Sequence, residues 1–490
     1  MSATAVGAVM LSGCAVGPDF ERPAPPNVDG YLLERQASVA GTADGVTQRY
    51  QRKRDVPGDW WKLFGSSGLR ALVDEALRNN PDLQAAQAAL RIARENTAVQ
   101  RGAFFPSADA NFSATRQKDP NDIFGNPPDP KMFNTFTGQV TVSYTPDVFG
   151  ANFRAVESLE ATAENQRYQL EATHITLTTN IVLAVVQEGS LRGQIAATEK
   201  IIKLVSDSLG ILRRQRALGQ VAEADVVAQE AALAQIEQTL PPLQRQLAQQ
   251  RNLITALIGR LSNRPPSQTF TLESLKLPRD LPLSLPSVMV RQRPDVLAAE
   301  ENVRSTSALI GVAVANRLPN ITLSAAVGST AFDISKLFSP GSGFWSLAGG
   351  VVQPIFRGGA LYHQEQAARA AFDQAAAQYK STVITAFQNV ADALTAIKTD
   401  TVALDKALTA ERAALRSLEI TQQRLRLGDI SFLALLNAQQ TYQQALLVTV
   451  QARANRFADT AALFQALGGG WWNKPYALPE KPVTIADFFQ

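Results

Sequence analysis

Pro106-Ser107-Ala108-Asp109-Ala110-Asn111-Phe112-Ser113-Ala114-Thr115 alternates apolar and polar residues, and 213 positions later Pro319-Asn320-Ile321-Thr322-Leu323-Ser324-Ala325 does so again. Each run follows an Ala-rich helical stretch, opened by Pro81-Asp82 in the first case and by Pro294-Asp295 in the second. After each come another alternating segment, a very long helical pattern, a turn at Gly219 or Gly428, and a return helix. The spacing predicts two copies of one α-β-β-α unit, from which the function must be built. A strand pair set into a long helical hairpin points to a tube rather than a catalytic pocket.

The alternation predicts strands with one apolar and one polar face. Ala108, Ala110, Phe112 and Ala114 oppose Asp109, Asn111 and Ser113; Phe136, Val140, Val142 and Tyr144 oppose Thr137, Gln139 and Thr141. Ile321, Leu323, Ala325 and Val327 form the third apolar face, and Phe344 to Val352 is a weaker fourth segment because of Gly349-Gly350. About ten residues per strand is the length an outer-membrane barrel needs. The connections Gln117 to Asn134 and Asp333 to Gly343 read as exposed loops. Phe104, Phe105, Phe133, Phe338 and Trp345 lie near strand ends, either as an aromatic girdle or as ordinary core aromatics.

The helices carry heptads, the pattern of coiled-coil packing. Val226, Leu233, Leu240, Leu247 and Ile254 recur at sevens; Leu394, Ile397, Leu404, Leu408, Leu415, Leu418 and Leu425 follow 3-4 spacing. Residues 151–216 and 360–426, if continuous, would each reach about 100 Å at 1.5 Å per residue. Pro241-Pro242 should break the first return helix. The chain is expected to divide into residues 1–13, a signal peptide; 14–68, an extended N-terminal arm; and 69–264, a first repeat with strands near 106–117 and 135–149. A Pro-rich linker, 265–286, a second repeat, 287–470, with strands near 319–332 and 344–356, and a tail, 471–490, complete it. Trp60-Trp61 closes the arm as an apolar anchor, and a short amphipathic helix from Leu69 is stopped by Asn79-Asn80-Pro81.

Composition narrows the function. The net charge of +3 is small for 490 residues, and Arg52-Lys53-Arg54 and Arg213, Arg214 and Arg216 read as solvated faces, so no nucleic-acid partner is expected. No run of 18 apolar residues exists; a membrane crossing must use strands in a closed barrel. The only cysteine ends Leu11-Ser12-Gly13-Cys14, which resembles a bacterial lipobox after a small apolar run. Cys14 is the expected lipid-attachment site, and Ala15 after it, in place of Asp, resembles lipoproteins sorted to the outer membrane. Four strands cannot close a barrel whose smallest form has about eight, so copies must associate. Two copies would give eight strands and three would give twelve.

Cys14-Ala15-Val16-Gly17-Pro18-Asp19-Phe20-Glu21-Arg22-Pro23 resembles the mature N-terminus of outer-membrane efflux lipoproteins of the outer membrane factor superfamily, which includes the TolC-type channels. Trp60-Trp61, Arg291-Gln292-Arg293-Pro294-Asp295, Gln353-Pro354-Ile355-Phe356-Arg357-Gly358-Gly359 and Leu467-Gly468-Gly469-Gly470-Trp471 resemble its landmarks, in order along nearly the whole chain. The resemblance implies a mostly α homotrimer, with a 12-stranded outer-membrane β-barrel continued by a 12-helix periplasmic coiled-coil tunnel. It implies a lipid-anchored, passive exit channel of a tripartite efflux pump, with a periplasmic adaptor (membrane fusion) protein, an inner-membrane pump of the resistance-nodulation-division (RND) type, and outer-membrane lipid as partners. No cofactor is expected beyond the lipid on Cys14. Family members of this kind serve antibiotic resistance.

Near the constriction, multidrug members of the family commonly read Leu-x-x-Leu-Asp-Ala-Gln-Arg, whereas this chain reads Leu433-Ala434-Leu435-Leu436-Asn437-Ala438-Gln439-Gln440. Both charged positions carry amides, Asn437 and Gln440. An Asp ring in a narrow pore attracts cations, while Asp-Arg pairs tie neighbouring helices; neutral hydrogen bonds contribute on the order of 1 kcal/mol each. The reading is a gate less selective for cations and held more by packing, with Leu433 as an apolar constriction. The plainer reading makes Asn437 and Gln440 solvated tunnel residues. By resemblance, the turns at Gly219-Gln220 and Gly428-Asp429 contact the adaptor, and their glycines suit a left-handed helix C-cap.

Three other readings compete. An enzyme finds little support: the only histidines are His174 and His363, and no zinc, thiol, phosphate-loop or nucleophile-elbow motif is present. A coiled-coil stalk leaves the strands unexplained. An outer-membrane duct of type I protein secretion shares the fold, but the lipobox favours efflux.

Overall fold

The computed structural model describes residues 15–28, 30–32, 38–52, 54–118, 132–427 and 429–474. In chain order they form β1 (Val39–Ala43), β2 (Val46–Arg52), α1 (Ser67–Asn79), α2 (Pro81–Gly102), β3 (Ser107–Lys118), β4 (Met132–Tyr144) and α3 (Ala151–Ala217). There follow α4 (Glu223–Glu237), α5 (Leu240–Leu257), β5 (Asp280–Leu283), α6 (Pro286–Val290) and α7 (Pro294–Ala315). The rest is β6 (Asn320–Ala331), β7 (Gly343–Val352), α8 (Ala360–Arg426) and α9 (Phe432–Ala466). The fold is mostly helical, and α3 and α8 are each unbroken over 67 residues. Among the described residues no helix is long and apolar enough to cross a membrane. The elements divide into two compact bodies. One holds residues up to Pro23, Leu90–Gln166 and Ala299–Tyr379; the other holds Ala24–Ala89, Arg167–Ala298 and the chain from Lys380.

The first body is built on an antiparallel sheet ordered β3-β4-β6-β7. Its register brings the apolar faces into line: Ala110 pairs with Val140, Val140 with Val327, and Val327 with Trp345. The next apolar row runs through Ala108, Val142, Ala325 and Leu347. Asp109, Thr141, Ala326 and Ser346 make a row on the other face, because a strand turns alternate side chains to opposite sides. The ladders of β4 and β7 end at Tyr144 and Val352, earlier than the expected 149 and 356. Pro146 and Pro354 follow closely, and proline has no N–H to give a ladder. The chain after Ala15 lies fastened across this body. Val16 N–H donates to the Phe149 carbonyl, and buried Arg154 donates to the Val16 carbonyl and, at 2.7 Å, to Asp19. Gly17 crosses Gly311 so closely that a Cβ at Gly17 would lie 2.4 Å from the Gly311 Cα. The same strap's Arg22 pairs with Glu300 at 2.5 Å.

The second body closes its own core. A short 3-10 turn buries Trp60, Trp61 and Phe64, with Trp60 stacked on Phe464 at 5.2 Å between ring centres. α1, capped by Ser66 Oγ accepting from Leu69 N–H, buries Leu69, Leu72, Val73, Ala76 and Leu77. The heptad leucines meet in a core of Val205, Leu209, Leu212, Val226, Leu418 and Leu435. α4 ends at Glu237 and α5 begins at Leu240, so Pro241 and Pro242 fall in the first turn of α5, where a missing N–H costs nothing.

This body also corrects the reading of residues 14–68 as an extended arm. Val39–Arg52 forms the β1–β2 hairpin, and the Pro-rich stretch contributes β5, parallel to β2. The turn is Asp44-Gly45, both at positive φ (54° and 71°), the dipeptide that two-residue hairpin turns select.

Candidate functional site: the neutral face of α9 and the hairpin tips

The two faces of α9 are set by its 3.6-residue period. Phe432, Leu435, Ala438, Gln439 and Tyr442 are buried, packed with α3, α4 and α8. Leu433, Asn437 and Gln440, at i, i+4 and i+7, therefore share the opposite, exposed face, which continues through Thr441, Gln444 and Val448. Leu433 is 64% exposed. From Phe432 to Ala452 the helix carries no charged residue; the first is Arg453. The surface is a neutral amide stripe with an apolar end. It can donate and accept hydrogen bonds but holds no fixed charge.

Polar ties hold the other face. Gln439 Nε2 donates to Ser208 Oγ on α3 at 3.3 Å, and Lys200 Nζ donates to the Tyr442 hydroxyl at 3.1 Å. Gln229 on α4 reaches the Val205 carbonyl at 2.9 Å. Sequence reasoning named Gln440 and missed its neighbour Gln439. The signal was available, since Gln439 stands at helical spacing with Leu435 and Tyr442 on the apolar side.

The first tip is a helix C-cap. Gly219 has φ 71°, its N–H donates to the Arg216 carbonyl, and Gln220 N–H donates to the Gln215 carbonyl. That pair of bonds is the Schellman pattern, and a left-handed residue is cheapest when it is glycine. At the second tip Asp429 N–H donates to the Arg424 carbonyl, the matching long bond, and the Asp429 carboxylate accepts from Arg424 at 2.7 Å. Arg216 pairs with Glu223 at 3.0 Å across the first tip. Leu218 and Leu427, each one residue before the tip glycine, are 73% and 77% exposed. Gly428 and Cys14 lie outside the described residues.

The other candidate positions separate cleanly. Phe104, Phe105, Phe338 and Trp345 are exposed, and Phe133 is half-buried, meeting Phe332 edge-on at 5.8 Å. His174 is buried against Trp61, and burial, reinforced by Lys474, holds its imidazole well below the usual range. Neither ring nitrogen has a hydrogen-bond partner among the described residues, so the ring packs in the core. Among the described residues no cluster of His, Cys, Asp and Glu could hold a metal ion.

Comparison with known proteins meets this geometry. The profile of the family described as "Outer membrane efflux protein" matches residues 72–260 and 285–469, one stretch for each repeat. The toluene efflux pump outer membrane protein TtgF of Pseudomonas putida is 29% identical, covering 97% of both chains. The cation efflux system protein CusC of Escherichia coli is 29% identical over 95% of this chain and 97% of its own. The solved structure of the outer-membrane channel OprN superposes with a TM-score of 0.84 at 26% identity, covering 94% of this chain and all of the other. Two repeats with an apolar-faced sheet, and full-length likeness to efflux proteins, lead to one conclusion: the chain belongs to the outer membrane efflux protein family and is an outer-membrane protein of efflux.

Proposed function

We propose that three copies of this chain make the passive exit duct of a tripartite efflux pump. The four-stranded sheets join edge to edge into a 12-stranded barrel in the outer membrane, and the long helices join into a 12-helix periplasmic tunnel. The observation that carries this reading is the sheet. β3 and β7 each have one neighbour among the described strands, and a continuous apolar face, with Val327 60% and Trp345 74% exposed, has no cover among the described residues. Open strand edges and bare apolar faces are resolved together by closing a barrel in lipid.

The remaining roles follow from that assembly. The lipid on Cys14 holds the strap's end in the membrane, the exposed aromatics at strand ends form its girdle, and the tips at Gly219, Gln220, Gly428 and Asp429 meet the periplasmic adaptor. An inner-membrane pump of the RND type supplies the energy. Toluene and cations appear in the names of relatives, so the duct itself is generic and the pump chooses the cargo. The neutral stripe of Leu433, Asn437 and Gln440 lines the constriction, held by the packing behind it.

Reconstitution of the purified, full-length protein in planar bilayers tests the reading. Discrete conductance steps are expected. Protein that inserts stably and never conducts would refute the duct.

A further inference from the structure

Inside one chain, the two repeats meet along a seam. β4 of the first repeat pairs with β6 of the second, as far as Tyr144 opposite Leu323. Beyond the last rungs, the turn from β4 into α3 lies beside the turn from α7 into β6. Val148 and Phe149 on one side, and Ala315, Leu318 and Pro319 on the other, border a cavity of about 820 Å³. The helices continue the contact. Ser158 Oγ on α3 lies 2.8 Å from Ser305 Oγ on α7, and a Cβ at Gly311 would lie 2.8 Å from the Arg154 side chain. Phe149 and Leu318 are half-buried in this seam.

The same two turns occur once more, at the free edges of the sheet. β7 runs through Pro354-Ile355-Phe356 into α8, and α2 runs through Phe104-Phe105-Pro106 into β3. α3 and α8 begin 209 positions apart, at Ala151 and Ala360, and Pro106 and Pro319 are 213 apart. Phe105 is therefore the counterpart of Leu318, and Ile355-Phe356 follows Pro354 as Asp147-Val148 follows Pro146. The counterparts differ in cover: Ile355 is 94% and Phe356 87% exposed, and Phe104 and Phe105 are exposed too. Exposure follows the sheet edge. The inner turns face the other repeat and the strap at Val16, whereas the outer turns face no repeat among the described residues. Both outer turns lie at one end of the sheet, since Ser107 pairs with Ser143, Tyr144 with Leu323 and Asn320 with Val352.

We propose that Ile355 and Phe356 form an apolar knob that docks on Phe104 and Phe105 of a neighbouring copy, repeating between chains the seam found within one. The docking rests on the edge-to-edge closure proposed above, which sets β7 of one copy beside β3 of the next and so carries the knob onto the two phenylalanines. The partner surface is a second copy of this chain, recognised by apolar burial and by the strand ladder beside it. The aromatic girdle at this end of the barrel is then shared between copies.

Cross-linking of the purified full-length protein in phospholipid vesicles tests the knob. With Phe105→Cys and Phe356→Cys in one chain, a short bismaleimide should link copies into two- and three-chain species, well above the wild-type blank. Linkage by either substitution alone would set like positions together and overturns the proposal. Phe112→Cys with Val351→Cys reports the strand edges themselves, because these residues are the counterparts of Ala325 and Val142, which pair inside the chain. Edge linkage without knob linkage, or labelling of Phe356→Cys by a lipid-borne maleimide, overturns the knob and leaves the barrel standing. Loss of both linkages overturns closure and knob together. Ile355→Ser combined with Phe356→Ser should lower the three-chain fraction in native mass spectra several-fold and leave the helical signal unchanged. A three-chain fraction equal to the wild type also overturns the knob.

Discussion

Val140, Val327 and Trp345 line up across the sheet and, with Leu347 in the next row, remain exposed, whereas Trp60, Leu72, Ile181 and Phe464 in the helical body are wholly buried. Both regions are rich in apolar residues, and they differ in where the cover comes from. The helical body folds its tryptophans and leucines against one another, so a single chain completes that core. The sheet presents one apolar face and two open edges, and nothing among the described residues covers them. The hydrophobic effect drives both. In one region it acts during folding; in the other, under the proposed barrel, it would act through insertion and association.

The largest effect that sharpens this contrast is expected at Trp60. Replacing it with Ala removes a fully buried indole stacked on Phe464, and losses of this kind cost about 3–5 kcal/mol. Helical circular dichroism should show a lower unfolding midpoint; an unchanged midpoint would mean that the body does not depend on its own core. Val327→Arg comes next. A charge at the middle of the apolar face costs about 2–4 kcal/mol in a barrel facing lipid. Outer-membrane yield should fall while the helical signal of the refolded protein persists. Normal yield would show that this face never meets lipid.

His174 gives a smaller effect, visible only in acid. Its depressed value means that the folded chain binds that proton less readily than the unfolded chain. Stability is therefore present above the usual histidine range and is lost as pH falls below about 6.5. His174→Phe should flatten the decline in unfolding midpoint between pH 7 and 5; an identical decline would assign acid sensitivity elsewhere. The smallest expected change in stability is at Asn437→Asp, on an exposed face. Its effect belongs to transport: single-channel recordings should show higher cation selectivity. Unaltered selectivity would remove Asn437 from the pore.

The parts of the fold set by periodicity were legible before the structure. The alternating runs around Phe112, Val140 and Leu323 are strands, and the heptad from Leu394 lies on one unbroken helix, because burial repeats at 2 and near 3.6 residues. The small sheet was not legible. β1 and β2 are short, β2 is mostly polar, and their Asp44-Gly45 turn was hidden in a stretch that read as an arm. β5 has only four residues, includes Pro282, and is defined by pairing with a strand more than two hundred positions away. On α9, sequence placed Leu433, Asn437 and Gln440 together, and helical geometry alone gives them a common face. The stripe's lack of charge was a departure read from the family pattern, and its buried counterpart Gln439 required the packing.

In the proposed duct, other copies complete the four-stranded sheet. The most direct test is the native mass of the detergent-solubilised assembly, with the N-terminal modification read in the same spectrum. Three chains, each beginning at a lipidated Cys14, are predicted. A stable monomer or dimer without lipid would contradict the closed barrel and the duct built on it.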